Sequence, residues 1–509
     1  MTLGAFKSFP HFMNLRSNSS QAVVIIGAGF AGLAAAATLA QAGMRVTVLE
    51  KHDIPGGRAR QFSAEGFTFD MGPSWYWMPD VMEDFFAGFG RRCADYFSLD
   101  RLDPSYRILF GPDDVVDLPA RVPDAMALFE SIEPGAGAAL ARFLDEAKIK
   151  YEVGIGEFAG KPCLSFMEFA DPRLLKYLSS MHLLRSYRSH VSRFFKHPRL
   201  HRLLEFPILF LGGTGKSTPA LYSMMNYGDL VLGTWYPKGG MFELVKAMHQ
   251  LAEEMGAEFM FNTEVTSIHT QGRQVTGVEA DGQHFPADFV LGAGDYHHIE
   301  QELLPAQSRQ YSARYWQNRV MSPSALIFYL GIDRPLPGLL HHTLLFDADF
   351  EAHAAQIYEQ PGWPTHPALY LNVTSKTDPS TAPEGMENLM VLIPVATGLE
   401  DTEATRSHYQ RLALERISRM VGFDVAPHVI YARSYAHKDF IVDYHAFGGN
   451  AYGLANILKQ TALLKPRLKS RRLDNLYYAG QLTVPGPGVP PTILSGRSAA
   501  REIIKQANR

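Results

Sequence analysis

The sequence predicts an α/β protein with a Rossmann-like domain assembled from discontinuous segments, plus an inserted α+β domain with a helical, membrane-facing part. Three observations carry this prediction. A strand, a glycine-rich turn, a helix and a second strand follow one another within the first 50 residues. The further strand-like stretches that are expected to complete this domain come much later in the chain, after residue 256 and after residue 475. The length of 509 residues leaves enough chain between them for a second domain.

The first elements form a β-α-β pattern. Val23 to Ile26 is a short β-branched run, which suits a buried parallel strand. The alanine-rich stretch from Leu33 to Gln41 predicts a helix, and Gly43 is expected to end it. Arg45 to Leu49 then predicts the second strand. The unit is therefore the first half of a doubly wound fold.

The turn of this unit, Gly27-Ala28-Gly29-Phe30-Ala31-Gly32, matches the Gly-x-Gly-x-x-Gly fingerprint of dinucleotide binding. Gly27 allows the tight turn, Gly29 leaves space for a pyrophosphate against the backbone, and Gly32 lets the helix pack on the strand. The helix N-terminus adds free N–H groups and the positive end of its dipole. The turn predicts a phosphate site at Gly27, Ala28, Gly29, Ala31 and Gly32.

Glu50 follows the second strand directly. A carboxylate at this position accepts hydrogen bonds from both hydroxyls of a ribose. It would also repel the 2′-phosphate of NADP. The sequence to this point therefore favours FAD or NAD.

The residues after Glu50 decide between these two cofactors. Gly56-Gly57-Arg58 and Gly72-Pro73 follow it closely. In this arrangement the chain resembles the flavoprotein superfamily that includes amine oxidases, protoporphyrinogen oxidase, carotenoid desaturases and Rab GDP-dissociation inhibitors. The resemblance implies FAD, with a second loop around its pyrophosphate. By this resemblance, the following residues are assigned to the cofactor site: Lys51, Gly56, Gly57, Arg58, Gly72 and Pro73.

Two distant segments are expected to complete the FAD-binding domain. The stretch from Gly256 to Asp295 alternates strand-like runs with turns, and Asp281-Gly282 is a strong hairpin signal. By the same resemblance, Val265 contacts the adenine through its backbone.

The closing segment contains a strand from Leu476 to Ala479, then Gly480, and a helix from Thr492 to Ala500 after a proline- and glycine-rich loop. The N-terminus of this helix would face the flavin, where its dipole stabilises a reduced, anionic ring. Gly480 and Val489 are accordingly assigned to the cofactor site.

The closing segment is also the most specific for one family. Asn475-Leu476-Tyr477, Gly480 and the stretch from Pro485 to Pro490 resemble the C-terminal signature of bacterial-type phytoene desaturases. Blocks earlier in the chain agree with it: Leu211 to Gly213, Trp235 to Met241 and Gly449 to Gly453. The resemblance implies FAD-dependent desaturation of a phytoene-like polyene, by hydride transfer to the flavin and loss of a proton. Gln481 to Val484 and Pro487 depart from the family pattern, which leaves the exact substrate open.

Other functions stay open at this point. A carotenoid isomerase or another carotenoid-modifying flavoenzyme shares these motifs. An amine oxidase would need an aromatic cage, for which Trp75-Tyr76-Trp77 is one source. A non-catalytic isoprenoid-lipid-binding protein shares the fold but has no use for the complete FAD motifs. No side chain is identified as catalytic, and an acidic or tyrosine residue is expected to accept the proton.

The motifs divide the chain into two domains. The FAD-binding domain is expected to comprise residues 20–110, 235–300 and 470–509, and the substrate-binding domain residues 111–234 and 301–469. Residues 1–19 are expected to form a flexible tail. With no second dinucleotide fingerprint, oxygen or a quinone is the expected electron acceptor.

Residues 172–202 carry many basic residues and no acid, with apolar residues at roughly helical spacing. Such a helix either lies on an anionic membrane or packs its apolar face on the substrate domain. The insoluble substrate favours the membrane, so the protein is expected to be cytoplasmic and peripheral to the bilayer. A net charge of −4 does not suggest nucleic-acid binding.

Metal binding is not expected from the sequence. The two cysteines, Cys93 and Cys163, lack metal-site spacing. The adjacent histidine pairs, His297-His298 and His341-His342, lack it as well and are expected at the surface or in loops.

Overall fold

The structure is a computed structural model that describes residues 20–164, 182, 185–210 and 213–509. It confirms the predicted fold class, because a parallel sheet built from separated segments stands beside a larger mixed sheet. The tail expected at residues 1–19 lies outside the described residues, as do residues 211 and 212 of one family-like block.

The strands of the described chain are β1 (Ala22–Ile26), β2 (Arg45–Leu49), β3 (Gln61–Ala64), β4 (Phe67–Asp70), β5 (Leu99–Arg101), β6 (Tyr106–Gly111), β7 (Asp114–Leu118), β8 (Trp235–Pro237), β9 (Glu258–Met260), β10 (Val265–Gln271), β11 (Gln274–Ala280), β12 (Gln283–Pro286), β13 (Phe289–Gly292), β14 (Ser324–Ile332), β15 (His342–Leu345), β16 (Leu369–Asn372), β17 (Glu387–Val395), β18 (Val429–Tyr435) and β19 (Leu476–Tyr478). The described α-helices of five or more residues are α1 (Phe30–Gln41), α2 (Pro79–Ala87), α3 (Val122–Ile132), α4 (Ala136–Val153), α5 (Tyr187–Val191), α6 (Pro198–Phe210), α7 (Phe242–Glu254), α8 (Ala313–Gln317), α9 (Phe350–Tyr358), α10 (Glu403–Val421), α11 (His437–Tyr444) and α12 (Val489–Ala507).

The first sheet is five-stranded and parallel, in the order β19-β13-β1-β2-β9. Its strands come from the three segments that the motifs assigned to one domain, residues 20–110, 235–300 and 470–509. β1 is central and buried, as expected of a β-branched strand with neighbours on both sides. Helix α1 packs closely against α12, so the two ends of the chain meet over this sheet. The predicted β-α-β unit and the strand before Gly480 are confirmed.

A three-stranded antiparallel sheet, β10-β11-β12, lies in the second of these segments. Asp281 and Gly282 join β11 to β12 with φ angles of +50° and +71°. Two left-handed residues in a two-residue loop match the right-handed twist of the flanking strands. The predicted hairpin is confirmed.

The second domain is built on a seven-stranded sheet in the order β18-β14-β17-β16-β15-β6-β7. Strand β6 pairs in parallel with β15, so Tyr106 to Gly111 belong to this sheet. The boundary expected at residue 110 therefore falls inside a strand. We propose the loop before Tyr106 as the boundary and keep the rest of the division as a proposal.

The closing helix is longer than the sequence predicted, because α12 begins at Val489 and continues to Ala507. Pro490 and Pro491 are its first residues after Val489. Proline is tolerated there because first-turn N–H groups have no partner within the helix.

For the basic segment 172–202, of which residues 182 and 185–202 are described, the structure favours the second of the two predicted alternatives, packing on the substrate domain. Tyr187, Val191 and Phe195 point into the hydrophobic core and not toward a bilayer. The segment has no acid of its own, but Arg188 pairs with Glu205 and Glu351, and Arg199 pairs with Asp114. In its described part, two of the basic residues are therefore neutralised by acids from outside the segment, and the apolar residues pack on the core. None of the described helices is long and apolar enough to cross a membrane.

Candidate functional site

One large cavity, of about 710 Å³, runs between the two sheets. At one end it is lined by the first glycine turn and Glu50, and at the other by Trp75, Trp77 and Met224. The cavity thus joins the predicted dinucleotide site to an apolar chamber in the second domain.

The three glycines of the first turn meet different steric conditions. Gly27 has a φ of +101°, in the left-handed region that favours glycine. A Cβ on Gly32 would lie 2.0 Å from the carbonyl oxygen of Gly27, so only glycine fits between α1 and β1. A Cβ on Gly29 would meet no atom within 4 Å and would enter the cavity. Only Gly29, therefore, keeps space free for a ligand.

The Glu50 carboxylate is held by two backbone donors. Its Oε2 accepts from the N–H of Ala28 at 2.7 Å, and its Oε1 accepts from the N–H of His52 at 3.0 Å. Glu50 is only 5% exposed and lines the cavity. Each oxygen retains lone-pair capacity for a further donor, such as a ribose hydroxyl.

A second glycine loop faces the first turn. The N–H of Gly56 donates to the carbonyl of Ala28 at 2.9 Å. Gly56 and Gly57 have φ angles of +115° and +54°, and a Cβ on Gly57 would lie 3.5 Å from the Cα of Gly29. The two loops thus form a backbone cradle from which side chains are excluded.

Arg58 extends from this loop to residues of the second domain. Its guanidinium lies 4.9 Å from the ring centre of Tyr444 and donates to the carbonyl of Asn450 at 3.2 Å, while its Nε has no partner. Burial lowers the pKa of Arg58, and the nearby Asp295 opposes this shift. Asp295 compensates the charge of Arg58 only in part, and the Nε–H of Arg58 has no partner. Both features suit an anionic ligand. The sequence analysis did not identify Tyr444, Asn450 or Asp295 as site residues, although Asn450 lies in a family-like block.

Gly72 and Pro73 come between Arg58 and the chamber. A Cβ on Gly72 would lie 2.4 Å from the carbonyl oxygen of Arg58, so this glycine permits close backbone packing. Both residues line the cavity, and Ser74 follows them along its wall.

At the Glu50 end, Val265 begins β10 and lines the cavity beside Thr263. Its backbone contact with adenine stays a prediction. Lys51 also lines the cavity, but its ammonium donates to the carbonyl of Val442 at 2.8 Å. The Lys51 side chain is therefore engaged in joining the loop after β2 to α11.

The first turn of α12 also lines the cavity. Val489 begins this helix and is part of the lining. Gly480 has a φ of +118°, and its N–H donates to Oγ of Ser495 at 3.0 Å. Gly480 itself does not line the cavity, whereas Gln481 and residues 484–488 of the same loop do. Gly480 therefore contributes to the site indirectly, because its left-handed conformation shapes the turn that precedes the lining residues.

Together these residues fit a dinucleotide. A backbone cradle open at Gly29, a preorganised carboxylate at Glu50 and the free Nε of Arg58 follow one another along one wall. Open glycine N–H groups and a helix N-terminus suit a pyrophosphate, and the carboxylate suits a ribose.

A family model described as flavin containing amine oxidoreductase matches residues 30–504. The chain belongs to this family. It is an FAD-dependent oxidoreductase, so the dinucleotide is FAD.

Similar proteins agree with this assignment. The enzyme is 40% identical to a carotenoid 3,4-desaturase from Haloarcula japonica, over 96% of its chain and 99% of the relative. It is 32% identical to a zeta-carotene-forming phytoene desaturase from Myxococcus xanthus, over 97% of its chain and 95% of the relative. Its fold matches an oxidoreductase from Methanosarcina mazei with a TM-score of 0.58 at 18% identity, over 93% and 98% of the two chains.

Beyond Pro73 the cavity of the enzyme becomes apolar. Trp75 and Trp77 pack with ring centres 5.0 Å apart, and Trp77 donates its Nε1–H to Oγ1 of Thr234 at 2.8 Å. The other chamber residues are Ile155, Pro207, Leu221, Met224, Met225, Ile327 and Leu392. Aromatic, aliphatic and methionine side chains of this kind suit a long hydrocarbon ligand.

A polar group lies in this apolar wall. The hydroxyl of Tyr370 donates to Oγ of Ser74 at 2.8 Å and lies 2.7 Å from Nδ1 of His342. His342 is fully buried, and the ring of Trp75 stacks on it at 4.0 Å. The expectation of a surface or loop position is therefore wrong for His342, whereas His341 lies in the bend just before β15. His342 begins β15 in the sheet interior, and strand burial was not visible from two adjacent histidines.

Among the described residues, Glu146, His182 and His190 bring potential metal ligands together. The amine of Lys150 lies 3.0 Å from Nε2 of His190 and donates to Oγ of Ser223 at 2.9 Å. Burial lowers the pKa of Lys150 to about 8. Because a lysine amine already fills the space beside His190, we assign no metal to this group.

Proposed function

We propose that the enzyme desaturates a carotenoid-type polyene such as phytoene. The observation that carries the proposal is the continuity of the cavity, which leads from the FAD cradle past Pro73 into a chamber of tryptophan, methionine and aliphatic side chains. A hydrocarbon substrate needs such walls, because burial of apolar surface is its main source of binding energy. The relatives named as carotenoid and phytoene desaturases support the same conclusion.

The residues proposed to hold FAD are those of the cradle: Gly27, Ala28, Gly29, Ala31, Gly32, Glu50, Gly56, Gly57, Arg58, Gly72, Pro73, Val265 and Val489. When bound, FAD supplies the acceptor for the hydride that desaturation removes from an allylic C–H bond. The chamber orients the polyene and excludes water, which would otherwise capture the allylic cation. A proton then leaves the neighbouring carbon, and the new double bond forms.

The packing of Trp75 also bears on the amine oxidase alternative. A cage for an alkylammonium needs the faces of aromatic rings turned toward the ligand. One face of Trp75 is covered by His342, and Tyr76 is fully buried in another cluster. This arrangement favours an apolar substrate over an amine.

The test is conversion of a defined polyene. The FAD-loaded enzyme is incubated with phytoene or lycopene in phosphatidylcholine vesicles, and pigments are separated by chromatography. We expect products with longer conjugation, seen as absorbance at longer wavelength. The matched control is Gly29→Ala, whose methyl group would occupy the cradle. A flavin-containing wild type that leaves both polyenes unchanged but oxidises putrescine would refute the proposal.

We further propose that oxygen or a quinone reoxidises the enzyme, and that it works at a membrane surface because its substrate is insoluble. Anaerobic assays with and without a quinone in the vesicles separate the two acceptors. Flotation with phosphatidylcholine vesicles tests membrane association, and we expect the protein in the vesicle fraction. Recovery of all protein at the bottom of the gradient would contradict the membrane proposal.

A further inference from the structure

The polar group in the chamber wall lies where two neighbouring strands and the loop after Pro73 meet. Tyr370 and Asn372 are on β16. His342 is on the neighbouring strand β15, where it is paired with Asn372. Residues two apart on a strand share a face, so all three point to the same side of the sheet. Ser74 and Tyr370 line the cavity, and His342 lies behind them. The group therefore has a cavity side and a buried side.

The hydrogen bonds suggest how this group is protonated. Nδ2 of Asn372 donates to the carbonyl of His341 at 3.1 Å, which sets the orientation of the amide. The same Nδ2 lies 3.4 Å from Nδ1 of His342, so a donor faces that ring nitrogen. An unprotonated Nδ1 fits this donor, and the ring proton is then on Nε2, which is buried without a hydrogen-bond partner. Nδ1 thus has a lone pair available, 2.7 Å from the Tyr370 hydroxyl.

Two features make His342 a suitable final acceptor. Burial lowers its pKa well below the ordinary value, so the resting ring is neutral and able to take up a proton, but the imidazolium then needs a neighbour that stabilises it. Its plane lies at 12° to that of Trp75, with ring centres 4.0 Å apart. A cation stacked on an indole is stabilised by the ring quadrupole. The tryptophan would thus favour the imidazolium at the moment when it forms.

Resting on the proposed function, we propose that Tyr370 and His342 receive the proton that the polyene loses. After hydride removal, the C–H bond next to the allylic cation breaks and its electron pair becomes the new C=C bond. The proton passes to the hydroxyl oxygen of Tyr370, whose own proton turns from Oγ of Ser74 toward Nδ1 of His342 and moves to that nitrogen. Tyr370 is the catalytic residue that touches the substrate. Ser74 and Asn372 are positioning residues that hold the hydroxyl and the imidazole.

The cycle is completed when the product leaves. The imidazolium returns its proton to the oxygen of Tyr370, and the hydroxyl proton passes through Ser74 to water in the cavity. All protons that move within the protein are on oxygen or nitrogen and therefore exchange with solvent. The proton-transfer step should consequently be slower in D₂O.

Tyr370→Phe tests the proposal because it removes the hydroxyl and retains the ring. With phytoene or lycopene, whichever the wild type converts, we expect about a hundredfold lower kcat with little change in KM. Flavin absorbance and quenching of tryptophan fluorescence by the polyene should stay as in the wild type, which shows that FAD and substrate still bind. His342→Asn retains an acceptor near the tyrosine but cannot take up a proton, so a similar loss is expected.

The matched control is Tyr409→Phe. Its hydroxyl is also buried and donates to the carbonyl of Pro364, in the core on the other face of the sheet. We expect wild-type activity from this variant.

Rates in H₂O and D₂O distinguish a relay from a structural role. The wild type should be slower in D₂O, and Tyr370→Phe should lose most of this difference. Equal wild-type rates in the two solvents would overturn the proposal even if neither variant folds, as would a Tyr370→Phe enzyme of full activity. Failure of the wild type on every polyene would instead refute the proposed function.

Discussion

The backbone N–H of Ala28 donates to Oε2 of Glu50 over 2.7 Å, and so joins the first glycine turn to the end of β2. The other carboxylate oxygen accepts from His52. Both oxygens therefore face donors before any ligand binds. A carboxylate held in this way is preorganised for a ribose.

Glu50→Gln is expected to lower the affinity for FAD by about tenfold to a hundredfold. The amide NH₂ would face one of the two backbone donors, which would leave a buried hydrogen bond unmade. Titration of the apoprotein with FAD, followed by flavin fluorescence, measures the effect. Glu258→Gln on the exposed side of β9 is the control. An unchanged affinity of Glu50→Gln would argue against a ribose contact.

Gly29→Ala and Gly32→Ala should fail in different ways. The methyl group added at position 29 would project into open space, so the variant should fold but bind FAD at least tenfold more weakly. The methyl group at position 32 would collide with the carbonyl of Gly27, so that variant should lose stability. Circular dichroism and bound flavin, measured on both proteins, separate the outcomes. A Gly29→Ala protein with full flavin content would contradict the assigned pyrophosphate site.

Arg58→Lys should weaken FAD binding roughly tenfold, although the charge is retained. A lysine ammonium cannot lie flat on Tyr444 and also present several donors toward the cavity. The flavin content of the purified protein and the FAD titration report the change. Arg91→Lys, at an exposed ion pair with Glu254, should behave as the wild type. Equal binding by Arg58→Lys would show that only the charge matters.

Asp229 should make stability depend on pH. Burial raises its pKa from 3.8 to about 7, and Tyr106 donates to it at 2.9 Å. The folded protein thus retains a proton that the unfolded chain has lost between about pH 4 and pH 7. Wild-type stability relative to Asp229→Asn should fall as the pH rises through this window, on the order of 1 kcal/mol per pH unit, and then level off.

Urea unfolding of both proteins at several pH values, with FAD present, checks this expectation. Asp113→Asn, at an exposed turn, controls for the loss of one carboxylate. A stability difference between wild type and Asp229→Asn that is constant from pH 5 to about pH 8 would contradict the raised pKa.

Sequence and structure agree best where the determining interactions are local. The strand before Gly27, helix α1 and the Asp281-Gly282 hairpin depend on residue type and on neighbours within a few positions. The distant strands of the parallel sheet were also predicted, because each stands beside a recognisable motif. The boundary that we propose before Tyr106 could not be derived from the sequence, because nothing local marks β6 as a partner of β15.

The sequence alone determined the dinucleotide cradle, since conformational freedom at Gly27 and the carboxylate of Glu50 are properties of the residues themselves. Only the tertiary structure decided which groups meet around it. Arg58 donates to Asn450, 392 positions away, and acids outside the basic segment pair with its Arg188 and Arg199. His342 reaches Tyr370 only through the pairing of β15 with β16. Such contacts depend on how the chain packs, and spacing along the sequence does not encode them.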